Sequence, residues 1–197
     1  MSDKGSFALP VEEGGRFHFT KDYITPYIPF YKTHLAEFKG RPDVHFLEVG
    51  TYEGRTALWF LDNILTHPTS TMTIVDFFED TGYEPRFDHN RAVSGHAGRW
   101  EKLKGLSHDV LPTLAGRTFD AIYIDGGHTA DEVYSDAVMC WPLLKVGGVV
   151  CFDDYEWRLH RPVEKRPQQG IDKFLDEHRD ELEILHKAYT VMARRIR

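Results

Sequence analysis

VHFLEVGTYEGRTALWFLDNIL, residues 44–65, is the stretch whose reading decides the fold. Its first part, VHFLEVG (44–50), is a short apolar run ending in glycine, the pattern of a buried strand. Its second part, GRTALWFLDNIL (54–65), sets Ala57, Leu58, Leu61, Ile64 and Leu65 on one helical face. Between them the turn GTYEGRT opens the helix, whose first backbone N–H groups and positive dipole end suit a carboxylate or phosphate. Gly50 and Gly54 are expected to let such a ligand approach the main chain. The same glycines also satisfy a simpler reading, in which they serve only a tight strand-to-helix turn.

Working outward, strand and helix patterns alternate. MTIVDF (72–77) reads as a second strand, PRFDHNRAV (85–93) as a helix, and a weakly marked third strand falls near EKLKGL (101–106). FDAIYID (119–125) is a fourth, β-rich run. Thr129 and Glu132 form a T-x-x-E capping box for a helix with Val133, Ala137, Val138 and Trp141 on one face. Pro142, Gly147 and Gly148 are expected to end that helix before a fifth strand, GVVCFDD (148–154). A charged loop (156–169) precedes a helix at 170–182, and LEILHKA (182–188) with TVMARRIR (190–197) reads as an antiparallel hairpin. The prediction is an α/β protein with a Rossmann-like, doubly wound, seven-stranded sheet, a terminal antiparallel hairpin and helices on both faces. Residues 44–197 would form this domain. Residues 1–43 would be a helical extension packed on it, with one or two short helices in 20–39 interrupted by Pro26 and Pro29. The aromatics Phe17, Phe19, Tyr23, Tyr27, Phe30 and Tyr31 are candidates for roofing a substrate pocket, for the core or for an oligomer interface.

Charge narrows the partners. With 24 basic and 31 acidic residues the formal charge is −7, a field that repels nucleic-acid backbones and anionic membranes and favours a small-molecule substrate. Cys140 and Cys151 lie in apolar stretches without CxxC spacing, as buried thiols in a reducing compartment would. The first 15 residues carry no apolar signal core and no stretch approaches 18 apolar residues, so the expectation is a soluble, cytoplasmic protein. The eleven histidines form no H-x-x-x-H pair on a convincing helix, which argues against zinc. Homo-oligomerisation is left open.

Asp76 ends the second strand about 20 residues beyond the glycine turn, where a carboxylate can accept hydrogen bonds from ribose hydroxyls. Glycine turn and acid together indicate a nucleoside-containing cofactor. The third glycine of G-x-G-x-x-G is missing, which counts against a dinucleotide.

LEVGTYEGRTALWF resembles the first motif of class I S-adenosylmethionine-dependent methyltransferases, in the variant of methyltransferase family 24, and TIVDFFED resembles the second. RFDHNRAVSGHAGRWEKLKGLSHDVLPTL and FDAIYIDGGHTADEVYSDAVMCWPLLKVGGVVCFDDYEW are similar to that group's third to fifth strands with their helices; the likeness spans about residues 44–180. It implies methyl transfer to a small-molecule acceptor. Cofactor contacts would come from Glu48, Gly50, Thr51, Tyr52, Glu53, Gly54, Thr56, Asp76, Phe77 and Asp125, with Leu106, Ser107 and His108 bordering the adenine.

Similarity to sugar and small-molecule O-methyltransferases in this group also implies a divalent cation, Mg²⁺ or a substitute, at Asp125, Asp153 and Asp154. The physics agrees, since three carboxylates at one sheet edge repel one another unless protonated or neutralised. Those enzymes tend to carry an acid two residues after the strand-four aspartate. Here that position is Gly127, and the next residue, His128, is a candidate base with Asp125 beside it in the catalytic set. A metal-acidified hydroxyl would leave such a base little to do. Two rival classes share these features: a nucleotide-dependent oxidoreductase, and a protein that binds S-adenosylmethionine without turnover.

Overall fold

The computed structural model describes residues 15–79 and 82–197. Seven strands, β1 (His45–Val49), β2 (Thr71–Asp76), β3 (Trp100–Lys104), β4 (Phe119–Ile124), β5 (Leu144–Phe152), β6 (Leu182–Lys187) and β7 (Val191–Arg195), form one sheet in the order β3-β2-β1-β4-β5-β7-β6. The first five run parallel, and β7 lies antiparallel between β5 and β6. This is the Rossmann-like sheet and terminal hairpin that the alternation implies.

Strand alternation sorts the core into two layers. Phe46, Ile74, Tyr123 and Cys151 face a cluster with Tyr31 of α1 (Ile28–His34) and Leu58 and Leu61 of α2 (Arg55–Asn63). Leu47, Val75, Ile122 and Phe152 face the opposite cluster, with Val133 of α5 (Ala130–Cys140) and Phe174 of α6 (Pro167–Glu177). Two further helices, α3 (Glu84–Val93) and the single turn α4 (Ser107–Val110), flank β3 in the chain. The Thr129–Glu132 capping box opens α5 as the sequence predicts. Both cysteines are buried free thiols, and among the described residues no helix is long and apolar enough to cross a membrane.

Several boundaries differ from the sequence reading. Helix α5 stops at Cys140, and Gly147 and Gly148 lie inside β5, where the register with β4 slips between Phe119↔Leu144 and Ala121↔Val149. Gly147 has φ +87°, and a Cβ at Gly148 would lie 2.8 Å from the Asp120 carbonyl oxygen. The pair therefore builds a bulge in a strand, which by composition looks like a turn. Pro26 and Pro29 do not interrupt helices. They occupy the second positions of the 3₁₀ turn Thr25–Tyr27 and of α1, within the first turn, where the missing N–H has no intrahelical partner to lose. For the same reason α6 begins at Pro167, before the expected residue 170. Strand β3 was faint because it is an edge strand: Trp100 is buried, but Glu101 and Lys104 are exposed.

Candidate active site

Strands β1 and β4 are neighbours in the sheet, and their connections leave in opposite directions, so a crevice forms at their carboxyl ends. The turn after β1 is packed directly onto the turn after β4. Gly50 donates to the Val75 carbonyl at 2.8 Å and has φ +81°; a Cβ there would lie 2.1 Å from the Asp125 carbonyl oxygen. At Gly54, φ +80°, a Cβ would press on Phe87 at 2.9 Å and Trp100 at 3.0 Å. Contacts within the protein by themselves demand glycine at both positions, the simpler of the two readings that the motif allows.

A cavity of about 730 Å³ opens here. Of the sequence candidates, Gly50, Tyr52, Asp76, Phe77, Leu106, Ser107, His108, Asp125 and His128 line it. Glu48, Thr51, Glu53, Gly54 and Thr56 are not in its wall. Glu53 turns the other way, where its oxygens accept from the Thr20 amide (2.6 Å) and hydroxyl (2.8 Å) and pair with Arg86 at 3.3 Å. The wall also contains Tyr23, one of the aromatics offered as a roof for the pocket, and Tyr83, Gly126, Gly127, Glu132 and Asp136, none of which the motifs indicated as ligand contacts. Glu132 carried one visible signal, the capping box. Its Oε2 accepts from the amides of His128 (3.1 Å) and Thr129 (3.0 Å) and so holds the turn that carries His128.

Asp76 is the hub of the cofactor end. Its Oδ2 accepts the amides of Thr51 (2.7 Å) and Tyr52 (3.1 Å), and its Oδ1 accepts the Phe78 amide (2.7 Å) and the Tyr83 hydroxyl (3.2 Å). Burial and the Asp76 charge raise the Tyr83 phenol above its ordinary range, so it stays a donor. Tyr52 packs between Tyr83, 5.1 Å between ring centroids, and Tyr23, 6.1 Å, bringing the N-terminal segment to the cavity mouth.

Behind the first turn, Glu48 is wholly buried, with the Thr51 side chain beside its carboxyl. Burial pushes its pKa well above the usual carboxylate range, and the charges of Asp125 and Asp76 add to the rise. Asp76 and Asp125, at the ends of β2 and β4, put two carboxylates in the cavity wall, while Glu48, held toward its neutral form, lies behind it.

A second group adjoins the first. Ligand atoms of Asp125, His128 and Asp154 all lie within 4.8 Å of one another, a spacing that a metal ion could bridge. His128 Nδ1 is 3.8 Å from Asp154 Oδ2, its ring meets the edge of Trp157 at 4.9 Å between centroids, and the Tyr189 hydroxyl donates to Asp154 Oδ1 at 2.9 Å. Asp153, the third carboxylate of the sequence expectation, stands outside this group. It follows Cys151 in the strand alternation, and its charge acts on Tyr31, Tyr123 and Cys151 on the α1 face and, less than that of Asp154, on Tyr189. Asp154, with φ +62°, breaks the alternation and turns its carboxylate toward His128.

Residues 47–155 match a methyltransferase domain family, number 24, over more than half of the chain. The chain belongs to methyltransferase family 24. Among its relatives, a catechol O-methyltransferase of Mycobacterium tuberculosis is 31% identical over 110 residues, covering 55% of this chain and 46% of that protein. The chain spans about half the length of the curated relatives it matches. Among solved structures, the O-methyltransferase from Bacillus cereus in complex with SAH superposes with a TM-score of 0.69 at 17% identity, over 88% of this chain and 82% of that one. The MycE methyltransferase of the mycinamycin biosynthetic pathway, in complex with Mg, SAH and mycinamycin VI, superposes with a TM-score of 0.65 at 15% identity, over 89% of this chain and 51% of that one. These likenesses establish the fold. The family 24 match begins within β1 and ends just past Asp154, so Tyr23 and Tyr189 reach the site from outside it.

Proposed function

We propose that this family 24 protein transfers the methyl group of S-adenosylmethionine to a hydroxyl oxygen of a small molecule, with a divalent cation at Asp125 and Asp154. The observation that carries this reading is the continuity of one cavity from the Asp76 end to Asp125 and His128. Its volume lies in the range of small-molecule sites. The Asp76 and Asp125 carboxylates in its wall fit a cationic cofactor. When bound, the cofactor supplies an electrophilic methyl on a sulfonium, and no covalent help from the protein is needed for displacement.

The chain's own tasks are then positioning and proton handling. Asp76 holds the Thr51–Tyr52 turn and is the candidate acceptor for ribose hydroxyls. Asp125 and Asp154 would hold a divalent cation, with His128 as third ligand or as the base that takes the hydroxyl proton. Carboxylates suit Mg²⁺, while the imidazole in the set also admits Mn²⁺. A bound cation acidifies a coordinated hydroxyl. Tyr23 gives the cavity mouth an aromatic wall beside Tyr52, and Trp157 packs against the His128 ring and helps to position it.

In this reading residues 44–197 are the catalytic domain and 1–43 an extension that helps cover the pocket; residues 1–14 lie outside the described residues. Buried free thiols agree with a reducing, cytoplasmic setting. The test pairs titration calorimetry with S-adenosylhomocysteine and a labelled-methyl assay on vicinal diols and catechols, with and without Mg²⁺. No binding would sink the cofactor reading; binding and transfer indifferent to chelator would remove the metal.

A further inference from the structure

The chain leaves Asp154 through two hydrogen-bonded turns. The Trp157 amide donates to the Asp154 carbonyl at 2.9 Å, and the Arg161 amide donates to the Arg158 carbonyl at 2.8 Å. The first turn lays the buried Trp157 ring beside the His128 ring, 4.9 Å between centroids. The second begins at Arg158, whose φ of +57° is uncommon for a non-glycine residue, and its guanidinium carbon lies 3.7 Å from the Trp157 ring centroid. One indole thus touches both the candidate base and a cation, and it keeps the guanidinium within the length of a substituted benzene ring from His128.

This cation is unspent. Arg158 is half-buried, its Nε is shut off from solvent, and its guanidinium makes no hydrogen bond or ion pair with a described residue. Other half-buried arginines are all engaged: Arg55 pairs with Asp22, Arg86 with Glu53, and Arg99 donates to the Leu61, Leu65 and His67 carbonyls. A guanidinium drawn partly out of water without an acceptor is costly, and the partner it lacks is an anion. Arg161 and Lys165 stand on the same loop with Glu156 and Glu164, all four exposed. Solvent and salt screen such charges, so they contribute little selectivity. Arg158, fixed against Trp157, is the one placed to select.

We infer that Arg158 recognises a carboxylate on the methyl acceptor, about one aromatic ring away from the hydroxyl that reacts. This rests on the methyl-transfer reading above and adds to it the charge class of the substrate. The guanidinium fork offers a carboxylate two parallel N–H groups, a geometry that an ammonium lacks. An acidic acceptor brought to Asp125 and Asp154 would otherwise meet only like charge, and the unspent cation offsets that repulsion.

The experiment measures labelled-methyl transfer by the whole protein, with Mg²⁺ present, to protocatechuate and to its neutral amide, a pair matched in shape and in the catechol hydroxyls. Wild type should favour the carboxylate by about tenfold in kcat/KM, mainly through KM. In Arg158→Ala the preference should vanish through loss on protocatechuate alone. Arg158→Lys, which keeps the charge without the fork, should retain part of it, and Arg161→Ala should retain all of it. Equal use of both acceptors by wild type, or equal loss on both in Arg158→Ala, would overturn the inference and leave Arg158 as a prop for Trp157. A loss in Arg161→Ala as large as in Arg158→Ala would also overturn it, because the charge of the loop rather than one residue would then select. Calorimetric titration of the two acceptors into the protein with S-adenosylhomocysteine bound reads the same preference without turnover. Protocatechuate bound through Arg158 but never methylated would overturn the methyl-transfer reading and leave the carboxylate site standing; binding of neither acceptor would overturn the carboxylate site.

Discussion

The Tyr189 hydroxyl lies 2.9 Å from Asp154 Oδ1, tying the turn between β6 and β7 to the carboxylate beside His128. Tyr189 is itself stacked on Tyr27, 5.2 Å between ring centroids. Burial and the Asp154 charge hold its phenol protonated, so it donates. Removing the hydroxyl in Tyr189→Phe should leave the fold intact and weaken Mn²⁺ or Mg²⁺ binding roughly tenfold, as loss of groups supporting a metal ligand does. Thermal shift against metal concentration measures this. An unchanged metal response would show that Asp154 needs no support.

Asp153 and Asp154 should separate in the same assay. Wild type should gain stability with millimolar Mg²⁺ or Mn²⁺, and Asp154→Asn should lose most of that gain. Asp153→Asn should keep most of it, because Asp153 is not in the Asp125, His128 and Asp154 group. Equal loss in both variants would restore the three-aspartate set read from the sequence.

Gly50→Ala tests the packing of the two turns. The added methyl would collide with the Asp125 carbonyl at a φ of +81°, so the variant should lose about 3 kcal/mol of stability. For a chain of this size that lowers the Tm by roughly 6–12 °C, readable by calorimetry without any ligand. A variant that melts like wild type yet fails to bind S-adenosylhomocysteine would return the glycine to a ligand role.

Asp76→Ala should release the Thr51 and Tyr52 amides and remove the acceptor for ribose. Loss of charge-assisted bonds of this kind lowers affinity about 10- to 100-fold. Titration with S-adenosylhomocysteine checks it, and undiminished affinity would move the ribose site elsewhere.

Glu48 predicts a pH dependence. Its folded-state pKa is raised well above the ordinary value of 4.5, so the unfolded chain loses this proton first as pH rises. The stability associated with the protonated carboxyl is therefore complete below about pH 4.5 and declines from there up to the folded-state pKa. Glu48→Gln, which cannot ionise, should be more stable than wild type at neutral pH, and the gap in Tm should close as pH falls toward 4.5. A gap that stays constant with pH would mean that Glu48 is not protonated in the folded protein.

What the sequence by itself determined was everything written in local periods. The two-residue alternation of VHFLEVG and FDAIYID, the helical spacing after Gly54 and the Thr129–Glu132 cap each fix their element through neighbours in the chain, and together they allow only a parallel sheet with helices on both faces. Even the site's location follows, because β1, β2 and β4 end in Gly50, Asp76 and the turn at Asp125. Tertiary structure alone decided which side chains meet there. Asp153 and Asp154 are adjacent and chemically identical, yet the packing of distant elements sets Asp154 beside His128 and Tyr189 and Asp153 nearer Tyr31 and Tyr123. Asp136 is one polar residue among several on α5, and only the docking of that helix sets its carboxyl against Ser107 and the Gly127 amide. Gly147 and Gly148 look like a turn until β4 lies beside them and makes them a bulge. In each case the deciding contact joins residues far apart in the chain, and no periodicity along the chain encodes it.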